Sequence, residues 1–240
     1  QANNFVNQKA AVIIAIATPS AVAAANAAAD KDIPVVYCAV TDSTVMDNYK
    51  NVTGSSENPN FQKQLEIVTA FMNKTNLKIG VLYSTEESSS PVQVNDLKKA
   101  AEKYEGMEIL DSAVADINTI DAITEDLISK GVDCFVNLLD NTIVGKLETN
   151  ILPITNEKKI PVFGSEIEQV KVGCIASSSI DYIDVGAAAG KSAALILNGK
   201  NASDIPVARI TEPASYYNSK VCEKLGITVP TTVTATDVAE

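Results

Sequence analysis

AVIIAIATPSAVAAANAAADKDIPVVYCAVTD, residues 11–42, holds the fold in miniature. The run 11–17 is continuously apolar and rich in isoleucine, and so is 33–40 (IPVVYCAV). Unbroken β-branched runs of this length mark strands covered on both faces, as in parallel sheets. Between them, 19–30 is alanine-rich and opens on Thr18-Pro19-Ser20, a helix-start signature. Strand, helix, strand in this order predicts a right-handed βαβ unit.

The pattern repeats along the chain. Further apolar runs lie at 77–83, 107–114, 132–138, 160–164 and 172–177, with helical patterns at 61–75, 91–105, 118–130, 142–157 and 182–198. In 91–105, Val94, Leu97, Lys98 and Ala101 form a stripe at helical spacing, and Ile120, Ile123, Leu127 and Ile128 form another. The prediction is an α/β fold with parallel sheets. One polar stretch, 41–60 (TDSTVMDNYKNVTGSSENPN), interrupts the alternation and reads as loop. The restart at LKIGVLY predicts a second sheet, with the join near 74–77. Tyr216-Tyr217 is expected in a late edge strand.

Composition removes whole classes of function. The 240 residues carry 19 basic and 30 acidic side chains, a net charge of −11, with 46% apolar residues. The pI is about 4.5 and the mean hydropathy +0.08. Such a surface repels phosphate backbones, so no nucleic-acid partner is expected. With no histidine, Ser-His-Asp and Cys-His hydrolases and His-based zinc sites are excluded. The four cysteines, Cys38, Cys134, Cys174 and Cys222, form no C-x-x-C and are expected as free buried thiols. There is no G-x-G-x-x-G, no P-loop and no G-x-S-x-G. No enzyme, cofactor or metal is expected. AVIIAIA is far shorter than the ~20 residues of a membrane span.

In open α/β sheets ligands bind beyond the carboxyl ends of the strands. Those positions hold Thr18-Pro19-Ser20, Thr41-Asp42, Tyr83, Ser89-Ser90, Asp140-Asn141-Thr142, Glu166 and Asp181-Tyr182. Hydroxyls at helix starts near 20 and 91 suit a carboxylate, while Asp140, Glu166 and Asp181 suit an ammonium. Together they suit a zwitterion. Asp140 is the first expectation for the ammonium and Asp181 the second; Ser20 and Ser89-Ser90 are equal alternatives for the carboxylate. The competing reading is that serine and aspartate after strands are simply N-caps.

These same residues carry a resemblance. AIATPSAVAAANAA, DIPVVYCAVTD, NVTG, KIGVLYS, DNT, IPVFGSE and IDY with GAAAGKSAALILNGKNASDIPV occur in order across essentially the whole chain. The set resembles the solute-binding components of ABC transporters, in the tryptophan/tyrosine-binding group. That resemblance implies the type I periplasmic binding protein fold: two α/β lobes joined by three crossovers, closing on a ligand in the cleft between them. The lobes are expected at 1–75 with 179–205 and at 76–178 with 206–240.

The resemblance also implies the partners and the location. The ligand is a free L-amino acid, with tyrosine, tryptophan or phenylalanine expected and a branched-chain amino acid or similar solute as alternative. A permease is the protein partner. The location is extracytoplasmic, periplasmic or on the cell surface as a lipoprotein, touching membrane only through a lipid anchor upstream, with an adhesin or antigen role open. Ser84-Thr85 stands where family members often have Asn-Pro, and the turn 42–50 lacks the usual proline and glycine. The family also begins with two further strand–helix units. The strand at 11–17 is therefore expected beside an open slot, its first lobe lacking those units unless upstream residues or a neighbouring chain fill the gap.

Overall fold

The computed structural model describes every residue except Asp42, Asn58, Thr211, Glu212 and Glu240. In chain order its main elements begin with α1 (Ala2–Asn7), β1 (Ile13–Ile16), α2 (Thr18–Ala28), β2 (Val35–Val40) and β3 (Val52–Glu57). Next come α3 (Phe61–Met72), β4 (Lys78–Ser84), α4 (Ser90–Ala101), β5 (Glu108–Val114) and α5 (Ile120–Ser129). They are followed by β6 (Cys134–Val136), α6 (Asn141–Val144), α7 (Leu152–Glu157), β7 (Val162–Phe163), α8 (Ile167–Val172) and β8 (Ala176–Ser179). The chain closes with α9 (Tyr182–Leu197), β9 (Ala208–Ile210), β10 (Ala214–Tyr217), α10 (Ser219–Leu225) and β11 (Thr236–Asp237). Two compact units result: 1–59 with 180–212, and 60–179 with 213–240. The join expected near 74–77 lies at 59–60, because α3 buries Phe61, Leu65, Val68 and Phe71 in the second unit's core.

In the first unit a parallel sheet runs β1-β2-β3-β9. Ile13, Ala15, Val35 and Tyr37 face Ala21, Ala24, Ala25 and Ala28 of α2, while Val36 and Cys38 face Val185, Ala189 and Ala193 of α9. Alanine faces let both helices lie close to the strands.

The polar stretch read as loop contains β3, a buried inner strand. Its sequence, VTGSSE, has no apolar run, so its burial comes from its neighbours: β2 on one side, β9 on the other, α9 across its face. Gly54 is required here, since a Cβ would stand 2.6 Å from the Tyr37 ring and clash with the Tyr37 carbonyl. Strand β1 pairs with β2 alone among the described residues, and Ile14 and Ile16 are 52% and 67% exposed.

The second unit is built on parallel strands ordered β5-β4-β6-β7. A single bridge, Gly164–Ser177, continues the sheet to β8, followed by β10 antiparallel and then β11. Tyr216-Tyr217 therefore lies in an inner strand of that extension, flanked by β8 and β11, and not at an edge. One face packs on α3 and α4 through Leu65, Val68, Val94 and Leu97; the other packs on Ile120, Leu127, Ile143 and Leu147. The helix expected over 142–157 is broken: α6 ends at Val144, a π-helical turn spans Leu147–Ile151, and α7 restarts with Pro153 in its first turn.

All four cysteines are free and buried. Burial pushes the Cys134 and Cys174 thiols well above the ordinary thiol range, and that of Cys222 up to about 11. A thiol reagent at pH 8 is expected to find no fast-reacting group on the folded chain and four after denaturation without reductant, matching the four cysteines. Two or fewer in the denatured chain would contradict this assignment.

Candidate functional site

In the first unit the strand ends create an anion-attracting and a cation-attracting feature on the same carboxyl edge. β1 passes into α2 through Ala17, whose φ of 67° and ψ of 158° place it in a region otherwise used by glycine. Such a conformation costs about 1–3 kcal/mol and persists only when the surroundings hold it, here through Ala17 N–H donating to Cys38 C=O at 2.9 Å. α2 has no side-chain cap, and Pro19 and Ser20 are exposed. Its first-turn N–H groups thus face outward with the positive end of the helix dipole. Next to it, β2 bulges between Tyr37 and Val40, with Ala39 at φ 54°. Thr41 follows, half-buried, and Asp42 lies outside the described residues.

The acidic side of this edge is at β3 and α9. Glu57 closes β3 and is buried, and the Tyr182 hydroxyl donates to its Oε1 at 3.4 Å. That bond brings the start of α9 to the end of β3. Asp181 caps α9, its Oδ1 accepting from Ile183 N–H at 2.7 Å, and the residue stays half-buried. Tyr182 keeps 39% of its surface exposed.

In the second unit Asp140 is 1% exposed and fully engaged. Its Oδ2 accepts from Ser84 N–H and from the Ser90 hydroxyl, both at 2.7 Å, and its Oδ1 accepts from Ile143 N–H at 3.0 Å. Its carboxylate ties the loop after β4 to the start of α6, a supporting role beside the ammonium contact expected from the sequence. The Ser90 hydroxyl is engaged by that bond, and both Ser89 and Ser90 are buried. Tyr83 is half-buried at the end of β4. Asn141 and Thr142 are held by Glu87, whose Oε2 accepts from Asn141 Nδ2 and Oε1 from Thr142 N–H, each at 3.3 Å. Glu166 caps α8, accepting from Gln169 and Glu168 N–H at 2.7 Å. Burial raises its carboxyl above the ordinary range against the pull of those two N–H groups.

Sequence reasoning missed Glu57, Glu87 and three buried glutamines, Gln64, Gln93 and Gln169. Glu57 was hidden in the stretch read as loop. The signal for Gln64 and Gln93 was a polar residue on the apolar stripe of its helix, which marks a buried amide with fixed partners. Among the described residues no group of three or more His, Cys, Asp or Glu is placed to hold a metal ion, and no helix is long and apolar enough to cross a membrane.

Comparison with known proteins gives a consistent picture. The family described as ABC transporter substrate binding protein matches residues 1–239. A tyrosine-binding protein of Clostridioides difficile (strain R20291) is 35% identical over 231 residues, covering 93% of this chain and 65% of that protein's length. Among solved structures, an ABC domain from Streptococcus pneumoniae in complex with L-Trp superposes with a TM-score of 0.86 at 33% identity, over 97% of this chain and 79% of that one. The ligand-free, open structure of a substrate-binding protein with adhesive properties from Clostridium difficile gives 0.74 at 32%, over 99% and 81%.

Proposed function

Because the chain belongs to the ABC transporter substrate-binding protein family and has the type I periplasmic binding protein fold, we propose that it binds a free aromatic L-amino acid. The observation that carries the proposal is the first unit's carboxyl edge, which holds both an uncapped helix start after β1 and, at the end of β3, Glu57 joined to the start of α9. A carboxylate fits the α2 N-terminus at Thr18 and Ser20, with Thr41 on the neighbouring strand end. An ammonium fits Asp181, with Glu57 behind it and the Tyr182 ring alongside. In the second unit, Tyr83 and the loops 84–90 and 140–142 are assigned to the same task, with Asp140 and Glu166 as their supports. Tyrosine, tryptophan and phenylalanine all suit this reading, and the L-Trp bound to the S. pneumoniae relative supports it.

The magnitudes are sufficient. Burying an aromatic ring of ~150–250 Å² at ~25 cal/mol/Å² supplies roughly 4–6 kcal/mol as an upper bound. Charge-assisted hydrogen bonds at the zwitterion end add about 1.5–3 kcal/mol each. After the cost of association, a micromolar complex near −8 kcal/mol is the expectation. The protein does no chemistry on its ligand: it delivers it to a membrane permease from an extracytoplasmic position, held there by a lipid anchor.

A thermal-shift panel of the twenty amino acids, purines, sugars and short peptides tests the reading. Tyrosine, tryptophan or phenylalanine is expected to raise the melting temperature, as about 2.7 kcal/mol of linkage at one hundred times Kd requires. A shift with sugars or leucine alone would reject it.

A further inference from the structure

We propose that Gln64, Gln93 and Gln169 are positioning residues of the second unit's binding loops, their side-chain amides standing in for peptide groups where the strands part. The proposal deepens the amino-acid-binding reading and rests on it for the role of those loops.

All three side chains are at most 3% exposed, on three different helices. Gln93 of α4 reads one residue on both sides: its Nε2 donates to Leu139 C=O at 2.9 Å and its Oε1 accepts from Leu139 N–H at 3.0 Å. Ser90, one turn earlier, holds the next residue, Asp140. Helix α4 therefore grips the loop after β6 at two successive positions. Gln64 of α3 works between two strands, its Nε2 donating to Gly164 C=O at 2.5 Å and its Oε1 accepting from Ser178 N–H at 2.8 Å. Gln169 of α8 accepts at Oε1 from Ser165 N–H and Asn137 Nδ2, both at 3.0 Å, and its Nε2 lies 3.4 Å from Leu138 C=O.

The need for these amides follows from the ladder. β6 and β7 pair through two residue pairs only, and the last main-chain bond between them is Asn137 N–H to Phe163 C=O at 2.8 Å. β7 meets β8 through the single Gly164–Ser177 bridge. Beyond those points the strands diverge while still buried, and each backbone group left there needs a partner. Water is one solution; a glutamine amide has the same donor and acceptor as a peptide and is anchored at a fixed distance on a helix. Packing is adapted to it, since a Cβ on Gly164 would stand 2.9 Å from Gln169 Cβ. The residues so held, Leu139, Gly164, Ser165 and Ser178, adjoin Asp140, Glu166 and the chain leading to Asp181. Loops fixed before binding need not be ordered by the ligand, so less of the contact energy is lost to ordering.

The test uses the full chain and the variants Gln93→Met and Gln64→Met, which keep the volume and remove both bonds. Residue-resolved amide hydrogen exchange is expected to accelerate at least tenfold at Leu139 in the first and at Ser178 in the second, with β4 amides within twofold of wild type. The Kd for the bound aromatic amino acid is expected to rise tenfold or more at a temperature where the variant is fully folded. Equal acceleration in β4, or an unchanged Kd with faster loop exchange, would overturn the proposal. Should a variant not fold, the wild type decides: Leu139 and Ser165 amides, outside any strand or helix, must be protected, and free exchange there overturns it. If the wild type binds no amino acid, the function reading fails, while the exchange pattern still judges the glutamine clamps.

Discussion

Asp140→Ala is expected to lower the second unit's unfolding free energy by about 3–5 kcal/mol. The substitution strands three donors at once: Ser84 N–H, the Ser90 hydroxyl and Ile143 N–H all lose their acceptor in a buried place. Each unsatisfied buried donor costs about 1–3 kcal/mol, and bonds to a charged acceptor stand at the upper end. Asp140→Asn keeps one acceptor oxygen and is expected to lose about half as much. Chemical denaturation followed in the second unit measures both. A loss under about 1 kcal/mol for the alanine variant would show that Asp140 does not hold these donors in the folded chain. The result separates two roles that a binding assay alone would confuse, because a collapsed loop and a missing contact both weaken affinity.

Gly54→Val is expected to cost at least ~3 kcal/mol in the first unit and to leave much of the protein unfolded. β3 lies between β2 and β9, so neither neighbour has room to move, and the added carbon meets the Tyr37 carbonyl and ring. Tyr37 is itself 1% exposed, and its burial pushes its phenol up to about 12. The double variant with Tyr37→Leu is expected to recover part of the loss, since it removes the ring but not the carbonyl, a coupling above ~1 kcal/mol. A valine variant as stable as wild type would show that β3 does not pack against Tyr37.

The contrast between β2 and β3 shows what the chain reveals about itself. β2 and β4 are apolar runs whose own side chains supply their burial, and their positions follow from hydropathy alone. β3 is made of threonine, glycine and serine because Tyr37 and the alanine face of α9 take up the space beside it, a fact written in residues far away in sequence. The single helix read over 142–157 is interrupted only at Gly145-Lys146, and a π-helical turn leads directly into the segment that carries Pro153.

Candidate positions could be named from the sequence, but not the contacts their side chains make. Asp140 and Asp181 both follow strands and both cap helices, and nothing adjacent to either distinguishes them. The difference comes from the loop 84–90, which folds back onto Asp140 and not onto Asp181. The helix starts at 20 and 90 looked alike for the same reason. Ser90 spends its hydroxyl on Asp140, while α2 begins uncapped behind a strained alanine. The glutamines could be read as buried amides from their place on an apolar helix stripe, but not their partners, which are backbone groups that every residue carries.

The central claim is that this chain binds a free aromatic amino acid through a zwitterion-matched strand edge. Isothermal titration calorimetry of the purified protein with L-tyrosine, L-tryptophan, L-phenylalanine and L-leucine tests it most directly, with the corresponding amino-acid amide of the tightest binder as control. The account predicts a one-to-one complex at micromolar Kd or tighter with an aromatic ligand, weakened at least ~100-fold, or about 2.7 kcal/mol, when the carboxylate is replaced by the amide. Binding of leucine with none of the three aromatics, or equal affinity for the acid and its amide, would contradict it.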